Sequence, residues 1–269
     1  MAATVLEEIL QVRRRRLEEA RARVPLRELE RAAQARADYS DFPAAISGKG
    51  LRVIAELKQA SPSQGVLRKD YQPAAIARGY ESAGAAALSV LTEEDFFKGS
   101  LDHLREVRKV SALPVLRKDF IFDAYQVHES AAAGADAVLL IVAALADNEL
   151  QGLIKLAEEL KLAALVEVHT EEELRRAVDA GASVIGVNNR NLKTLAVDLE
   201  TSFRLRPLIP AGCIAVSESG IKTAADLRRL RRAGYDAVLI GERFMTQHDP
   251  GAALFELLDL VPEVARPRR

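Results

Sequence analysis

The sequence of 269 residues predicts an α/β chain that closes into a TIM (β/α)8 barrel behind an N-terminal helical extension. Three observations predict it: a repeated segment, an alternation of apolar and helical stretches, and polar residues gathered where the apolar runs end. The repeat is seen in "SAGAAALSV" (82–90), "AAGADAVLL" (132–140), "DAGASVIGV" (179–187) and "RAGYDAVLI" (232–240), whose Gly84, Gly134, Gly181 and Gly234 stand about 50 residues apart. Each glycine follows a helical stretch and precedes a β-branched or leucine-rich run, as a helix C-cap turning into a strand requires. A unit of that size holds two βα pairs. Such alternation implies parallel strands joined by right-handed crossovers. A doubly wound open sheet is the alternative, but the glycine-rich dinucleotide fingerprint after its first strand is missing.

Residues 1–50 precede the barrel. In "VLEEILQVRRRRLEEA", Val5, Ile9 and Val12, with Leu6, Leu10 and Leu17 beside them, recur at helical spacing. Glu7, Glu8, Glu18 and Glu19 flank Arg13–Arg16, so the basic run reads as a solvated helix face with i,i+4 ion pairs rather than a nucleic-acid arm. A short helix from about Pro25 and a loop through "DYSDFPAAISGKG" complete the extension, whose apolar stripe must pack on the barrel. The eight strands are expected at 52–58, 86–92, 114–119, 137–142, 163–169, 184–190, 214–219 and 237–242, with "ELQGLIKLAEELK" and "EEELRRAVDAG" among the intervening helices. Extension (1–50) and barrel (51–269) are expected to form a single domain, 1–269.

Composition narrows the function. The chain is 49% hydrophobic and 29% charged and has no apolar run long enough for a membrane span. A net charge of -1 gives no general attraction to polyanions, so no nucleic acid is expected. The glutamates near the N-terminus argue against a transit peptide and no signal-peptide core is present, so a cytoplasmic protein is expected. Cys213 stands alone, which precludes an intramolecular disulfide or cysteine metal cluster and suits a core position. His103, His128 and His248 are scattered with no HxxH or HExxH spacing, so no catalytic metal is expected. A closed barrel exposes no strand edge, which favours a monomer.

In a TIM barrel the site lies at the C-terminal strand ends, and side chains alternate between interior and helix layer. By that alternation Ile54, Glu56 and Lys58 share a face, as do Leu116 and Lys118, Leu165 and Glu167, Asn188 and Arg190, and Ser217 and Ser219. If those faces point inward, Glu56, Lys58, Lys118, Glu167, Asn188 and Arg190 converge on one mouth. Taken singly, each strand-end charge suits a structural ion pair; six convergent groups suit acid and base chemistry, with a desolvated lysine among cations expected at depressed pKa. Gly220 after the seventh strand and Gly241 after the eighth lie where this architecture binds phosphate. "QASPSQG" adds the hydroxyls of Ser61 and Ser63, with Gly65 permitting a flexible lid. Phe96, Phe97 and Phe120 are expected as apolar walls for a flat ring, and His169 as a hydrogen-bonded group behind the site.

With these residues in view the sequence resembles the indole-3-glycerol-phosphate synthase family through "IAELKQASPSQG", "VLTEEDFFKGS", "PVLRKDFIFDAYQVHES", "GADAVLLI", "LVEVHTEEEL", "IGVNNRNL", "VSESGI" and "LIGERFM". The motifs cover all eight strand ends. Gln64, where many members carry lysine, and Phe244, where many carry leucine, depart from the pattern. The resemblance implies ring closure of 1-(2-carboxyphenylamino)-1-deoxyribulose 5-phosphate to an indole with loss of carbon dioxide and water, without a cofactor. It implies Lys118 as general acid at the keto oxygen, Glu167 as general acid/base in dehydration, and Glu56 orienting the lysines. It further implies Lys58 and Arg190 holding anions or the acid-base network, and Asn188 hydrogen-bonding the developing hydroxyl. Ser61, Ser219, Gly220, Gly241 and Glu242, the last through its backbone, match phosphate-site positions. Leu91, Phe97, Phe120, Leu139 and Leu192 match the apolar pocket. Phosphoribosylanthranilate isomerase, another phosphosugar barrel, would share the phosphate loops but lack the lysine-glutamate set and the extension. A barrel that only binds a phosphorylated aromatic ligand or a partner protein would not need every charged group at the mouth.

Overall fold

The computed structural model describes residues 4–261; the outermost ends of the expected single domain, 1–3 and 262–269, lie outside the described residues. Eight parallel strands close the barrel: β1 (Arg52–Leu57), β4 (Ala87–Leu91), β5 (Val115–Lys118), β6 (Ala137–Ile141), β7 (Ala163–Val168), β8 (Val184–Asn188), β9 (Ile214–Glu218) and β10 (Ala237–Ile240). The short β2 (Ala60–Ser61) and β3 (Gly65–Val66) form a separate antiparallel hairpin after β1. Every barrel strand stops one or two residues before its expected end, where the chain has already turned into the loop or helical turn that follows it at the mouth. Helices α4 (Pro73–Ala83), α5 (Leu101–Val110), α6 (Ala124–Ala133), α7 (Asp147–Glu159), α8 (Glu171–Asp179), α9 (Glu200–Leu205), α10 (Ala224–Ala233), α11 (Glu242–Met245) and α12 (Pro250–Asp259) follow the strands. Gly84, Gly134 and Gly234 cap α4, α6 and α10 in the left-handed conformation, and Gly181 follows the Ala180 cap of α8 with a φ of +88°, so the repeated glycine marks a helix end at all four occurrences as expected.

Two apolar layers result. Val53, Ala55 and Leu57 of β1 face the helices, and Ile54 faces the interior with Leu116, Leu165, Val216 and Leu239. The extension forms α1 (Val5–Arg23), opened by a Thr4–Glu7 capping box, and α2 (Leu26–Ala35). The segment expected as a loop contains a further helix, α3 (Phe42–Ile46), started by the Asp41 side chain on the Ala44 N–H with Pro43 in its first turn. Phe42 and Ile46 are fully buried and pack with Ala87, Ala137, Val184 and Ala237 at the N-terminal ends of their strands. They plug the barrel floor opposite the mouth, a packing role that a five-residue segment does not advertise by periodicity.

The arginine run is only in part the solvated face expected: Arg14 and Arg15 are exposed, but Arg13 and Arg16 turn to the barrel. Arg13 is buried and its guanidinium meets Asp119 at 3.0 Å; Arg16 bonds Asp95 at 2.9 Å and Glu94 at 3.4 Å. Both partners lie on loops at the mouth, after β5 and β4, so α1 is clamped to the mouth side of the barrel. Cys213 is half-buried against the helix-layer core. No helix among the described residues is long and apolar enough to cross a membrane.

Candidate active site

The mouth holds a cavity of about 630 Å3. Glu56, Lys58, Lys118, Glu167, Asn188 and Arg190 all line it, brought together from β1, β5, β7 and β8 by the alternation along each strand. Ser219, Gly220, Gly241 and Glu242 line it from the loops after β9 and β10, and Leu91, Phe97, Phe120, Leu139 and Leu192 form its apolar wall. The Phe97 and Phe120 rings lie 6.1 Å apart, centroid to centroid. Phe96 is not among the lining residues.

Ser61 departs from its expected place. Pairing with Gly65 in the hairpin turns its side chain away from the cavity, into a small apolar space beneath Val5, Leu6 and Ile9 of α1, where its hydroxyl is buried without a partner. Ser63 instead lines the cavity, with its hydroxyl 3.4 Å from an Arg190 nitrogen. Arg190 also donates to the Leu195 carbonyl (3.1 Å) and lies 3.3 Å from Glu242, so it ties the loops after β1, β8 and β10 together.

Strand β9 corrects the expected alternation. Ser217 points outward, where it joins Asn189 and Ser202 in a buried hydrogen-bond cluster. Val216 and Glu218 point inward, and Ser219 leaves the strand in the left-handed conformation. Glu218 was therefore missed, although "AVSES" carries a polar residue on both faces and the inward apolar Val216 was the available signal. Gly186 on β8 makes room for it, since a Cβ there would collide with the Glu218 carboxylate. Lys222 and Arg243, beside Gly220 and Gly241, are further cations lining the cavity that the sequence does not single out.

Electrostatics organise the floor of the cavity. The Lys118 ammonium lies 3.1 Å from Glu167 and 3.6 Å from Glu218, and Lys58 lies 2.6 Å from Glu56. Burial disfavours the Lys118 ammonium, but Glu167, Glu218 and Glu56 outweigh it and hold its pKa above the ordinary lysine value. The depressed lysine expected from neighbouring cations is thus reversed, because its nearest neighbours are carboxylates. Burial likewise opposes the Glu167 carboxylate, yet Lys118, His169 and a hydrogen bond from Asn188 leave its pKa below the ordinary value. Glu218 goes the other way: burial, with repulsion from Glu167 and Glu56, pushes it up to about 8 despite Lys118. Two carboxylates flanking one ammonium are therefore split into an ionised member and a protonated one.

That split has a consequence for stability. In the unfolded chain Glu218 ionises near the ordinary 4.5, while the folded protein keeps its proton to about 8. The stabilisation this proton confers is complete below about 4.5 and is lost as pH rises through about 8. Glu218→Gln, which cannot ionise, should therefore gain thermal stability relative to the parent as pH rises across that window in calorimetry. A difference that does not change with pH would take the proton off Glu218.

No group of three or more His, Cys, Asp or Glu side chains that could hold a metal ion occurs among the described residues. The chain matches the family model for indole-3-glycerol phosphate synthase over residues 6–257. It is 48% identical over 260 residues to the indole-3-glycerol phosphate synthase of Polaromonas sp. (strain JS666 / ATCC BAA-500), covering 95% of this chain and 98% of that one. It is 47% identical over 262 residues to the enzyme of the same name from Carboxydothermus hydrogenoformans, covering 94% and 99%. Among solved structures it superposes on 3-hexulose-6-phosphate synthase from Salmonella typhimurium with a TM-score of 0.64 over 80% of this chain and all of that one; at 13% identity this is a likeness of fold alone.

Proposed function

The chain belongs to the indole-3-glycerol phosphate synthase family, carboxy-lyases of tryptophan biosynthesis, and from that premise we propose how its mouth carries out the reaction. The observation that carries the proposal is the Lys118 ammonium set between Glu167 and Glu218 at the floor of a cavity with apolar walls and glycine loops. In 1-(2-carboxyphenylamino)-1-deoxyribulose 5-phosphate, the aromatic ring lies against Phe97, Phe120 and the leucines, and the phosphate lies at Ser219, Gly220 and Gly241. Backbone N–H groups suit an anion there; the Glu242 carboxylate is turned to Arg190.

Ring closure forms a carbon–carbon bond between the aromatic ring and the keto carbon, and the keto oxygen becomes an alkoxide that must be protonated. Lys118, kept fully charged by its carboxylates, donates to that oxygen. A lysine of raised pKa is a weak acid towards a ketone and a competent one towards an alkoxide, so its proton moves as the bond forms. Loss of carbon dioxide then restores the double bond of the ring. Dehydration needs a proton delivered to the departing hydroxyl and one removed from the CH2 carbon between the nitrogen and the former keto carbon, so that the ring double bond forms; Glu167 serves there, with Asn188 hydrogen-bonding the hydroxyl. Lys58, oriented by Glu56, faces the substrate carboxylate with Arg190 at the rim.

The same reading takes extension and barrel as one domain, acting as a monomer in the cytoplasm, since all barrel strands are paired. The experiment is indole fluorescence from the purified protein given this substrate with no metal or nucleotide added. A rising indole signal is expected. Folded protein that binds the substrate without producing indole would leave recognition and remove the chemistry.

A further inference from the structure

Behind Glu167, outside the cavity lining, lies an imidazole between two carboxylates. His169 follows β7 in the turn to α8, and its side chain is largely buried. Glu173, in the first turn of α8, accepts the backbone N–H of His169 at 2.7 Å, and the same oxygen lies 3.0 Å from the ring Nδ1. Glu173 is itself fixed, its own N–H donating to the Thr170 hydroxyl that caps the helix. With Nδ1 at Glu173, Nε2 is buried and makes no hydrogen bond, and Oε1 of Glu167 lies 3.4 Å from it, at ion-pair distance. An ionised carboxylate only accepts, so Nδ1 must carry a proton towards Glu173. A neutral ring would then turn the Nε2 lone pair on the Glu167 oxygen. Only the imidazolium presents an N–H to both carboxylates.

We infer that His169, anchored by Glu173, is a positioning residue that holds the Glu167 carboxylate in one rotamer and ionised for its proton transfer. Lys118 bonds Oε2 of Glu167 from the cavity side and His169 lies 3.4 Å from Oε1 behind it, so each oxygen of the carboxylate has a cationic neighbour when the ring is protonated. The charged groups that face the ring are Glu167 on β7, Glu173 on α8 and, further off, Glu218 on β9; Lys118 on β5 lies beyond Glu167. Glu167 and Glu173 favour its cation, and Glu218 adds to this only where it has lost its proton, above about 8. Burial opposes that cation, and the carboxylates outweigh it, in agreement with the geometry.

The inference rests on the assignment of Glu167 to proton transfer, and the test separates the two. His169→Gln and Glu173→Gln would be made in the full-length protein, with Glu167→Gln beside them. The limb of the kcat/KM profile that requires ionised Glu167 should move to higher pH by about one unit in His169→Gln, because a nearby cation is lost. Turnover at neutral pH should fall roughly tenfold with KM little changed, as expected when a reacting group is loosened. Glu173→Gln should shift the limb the same way by less. Independently of turnover, the His169 ring resonance should titrate above the free value of about 6.5 in the parent and fall in Glu173→Gln. Unchanged profiles in both variants, or a ring that titrates at or below the free value, would overturn the role of His169. Retained turnover in Glu167→Gln would instead overturn the assignment of Glu167 on which it rests.

Discussion

Lys118→Met is expected to lower kcat by roughly a thousandfold, in the range that a positioned general acid contributes. Methionine is apolar and of similar length, so the floor of the cavity stays filled while the ammonium disappears. KM should change far less, because the places proposed for the aromatic ring and the phosphate, at Phe97, Phe120 and the glycine loops, lie elsewhere in the cavity. Removing the cation also leaves Glu167 and Glu218 facing each other across the space it occupied, which raises the proton affinity of the pair. Lys118→Arg separates the two contributions of the ammonium. Arginine restores the positive charge but does not give up a proton in proteins, so it should recover binding without recovering turnover. Circular dichroism should show both variants folded, since the barrel closes through backbone pairing that Lys118 shares with Leu91 at a strand end. Turnover near that of the parent in Lys118→Met would remove Lys118 from the chemistry.

The strand ends were legible because a barrel turns alternation along each strand into convergence in space. Glu56, Lys118, Glu167 and Asn188 each stand two residues beyond an inward position on a buried strand, so parity alone carried them to the mouth. The rule failed at β9 for a physical reason: in "AVSES" both faces are polar at the end, and only three-dimensional neighbours decide which serine or glutamate turns inward. Ser217 finds Asn189 and Ser202 in the helix layer, and Gly186 opens the interior to Glu218. Ser61 failed for a related reason, since the hairpin after β1 restarts the alternation and gives the mouth to Ser63. The charge state of Lys118 was not legible at all. It depends on which charges come nearest, and sequence shows the cations of the mouth as readily as its carboxylates.

The arginine run shows the same limit and leads to the second large effect, a loss of stability in Asp119→Ala. Flanking glutamates made the run look self-satisfied on its own helix, yet Arg13 crosses to Asp119, a residue 106 positions away. The Asp119 side chain is wholly buried, and one of its oxygens takes Arg13 at 3.0 Å, Arg117 at 3.0 Å and the Thr92 hydroxyl at 2.6 Å. The other takes the Phe120 N–H at 2.8 Å. Burial opposes the charge, but Arg13 and Arg117 outweigh it and hold the pKa below the ordinary aspartate value. Alanine would leave the buried Arg117 guanidinium with Glu129 as its remaining acid partner and would remove the ion pair that Arg13 makes with the barrel. Breaking a buried pair from one side costs about 3–5 kcal/mol, so the urea midpoint at neutral pH should fall accordingly. Because the Asp119 pKa is depressed on folding, its contribution is present above the unfolded aspartate value and disappears as pH drops through the folded one. The gap between parent and variant should therefore narrow in strong acid. Asp119→Asn keeps an acceptor for Phe120 and should lose less. Since Phe120 walls the cavity and Lys118 precedes Asp119 on the same strand end, turnover should fall with stability in the alanine variant. A loss below about 1 kcal/mol would place the cluster with solvated surface pairs and return α1 to the role its sequence suggested.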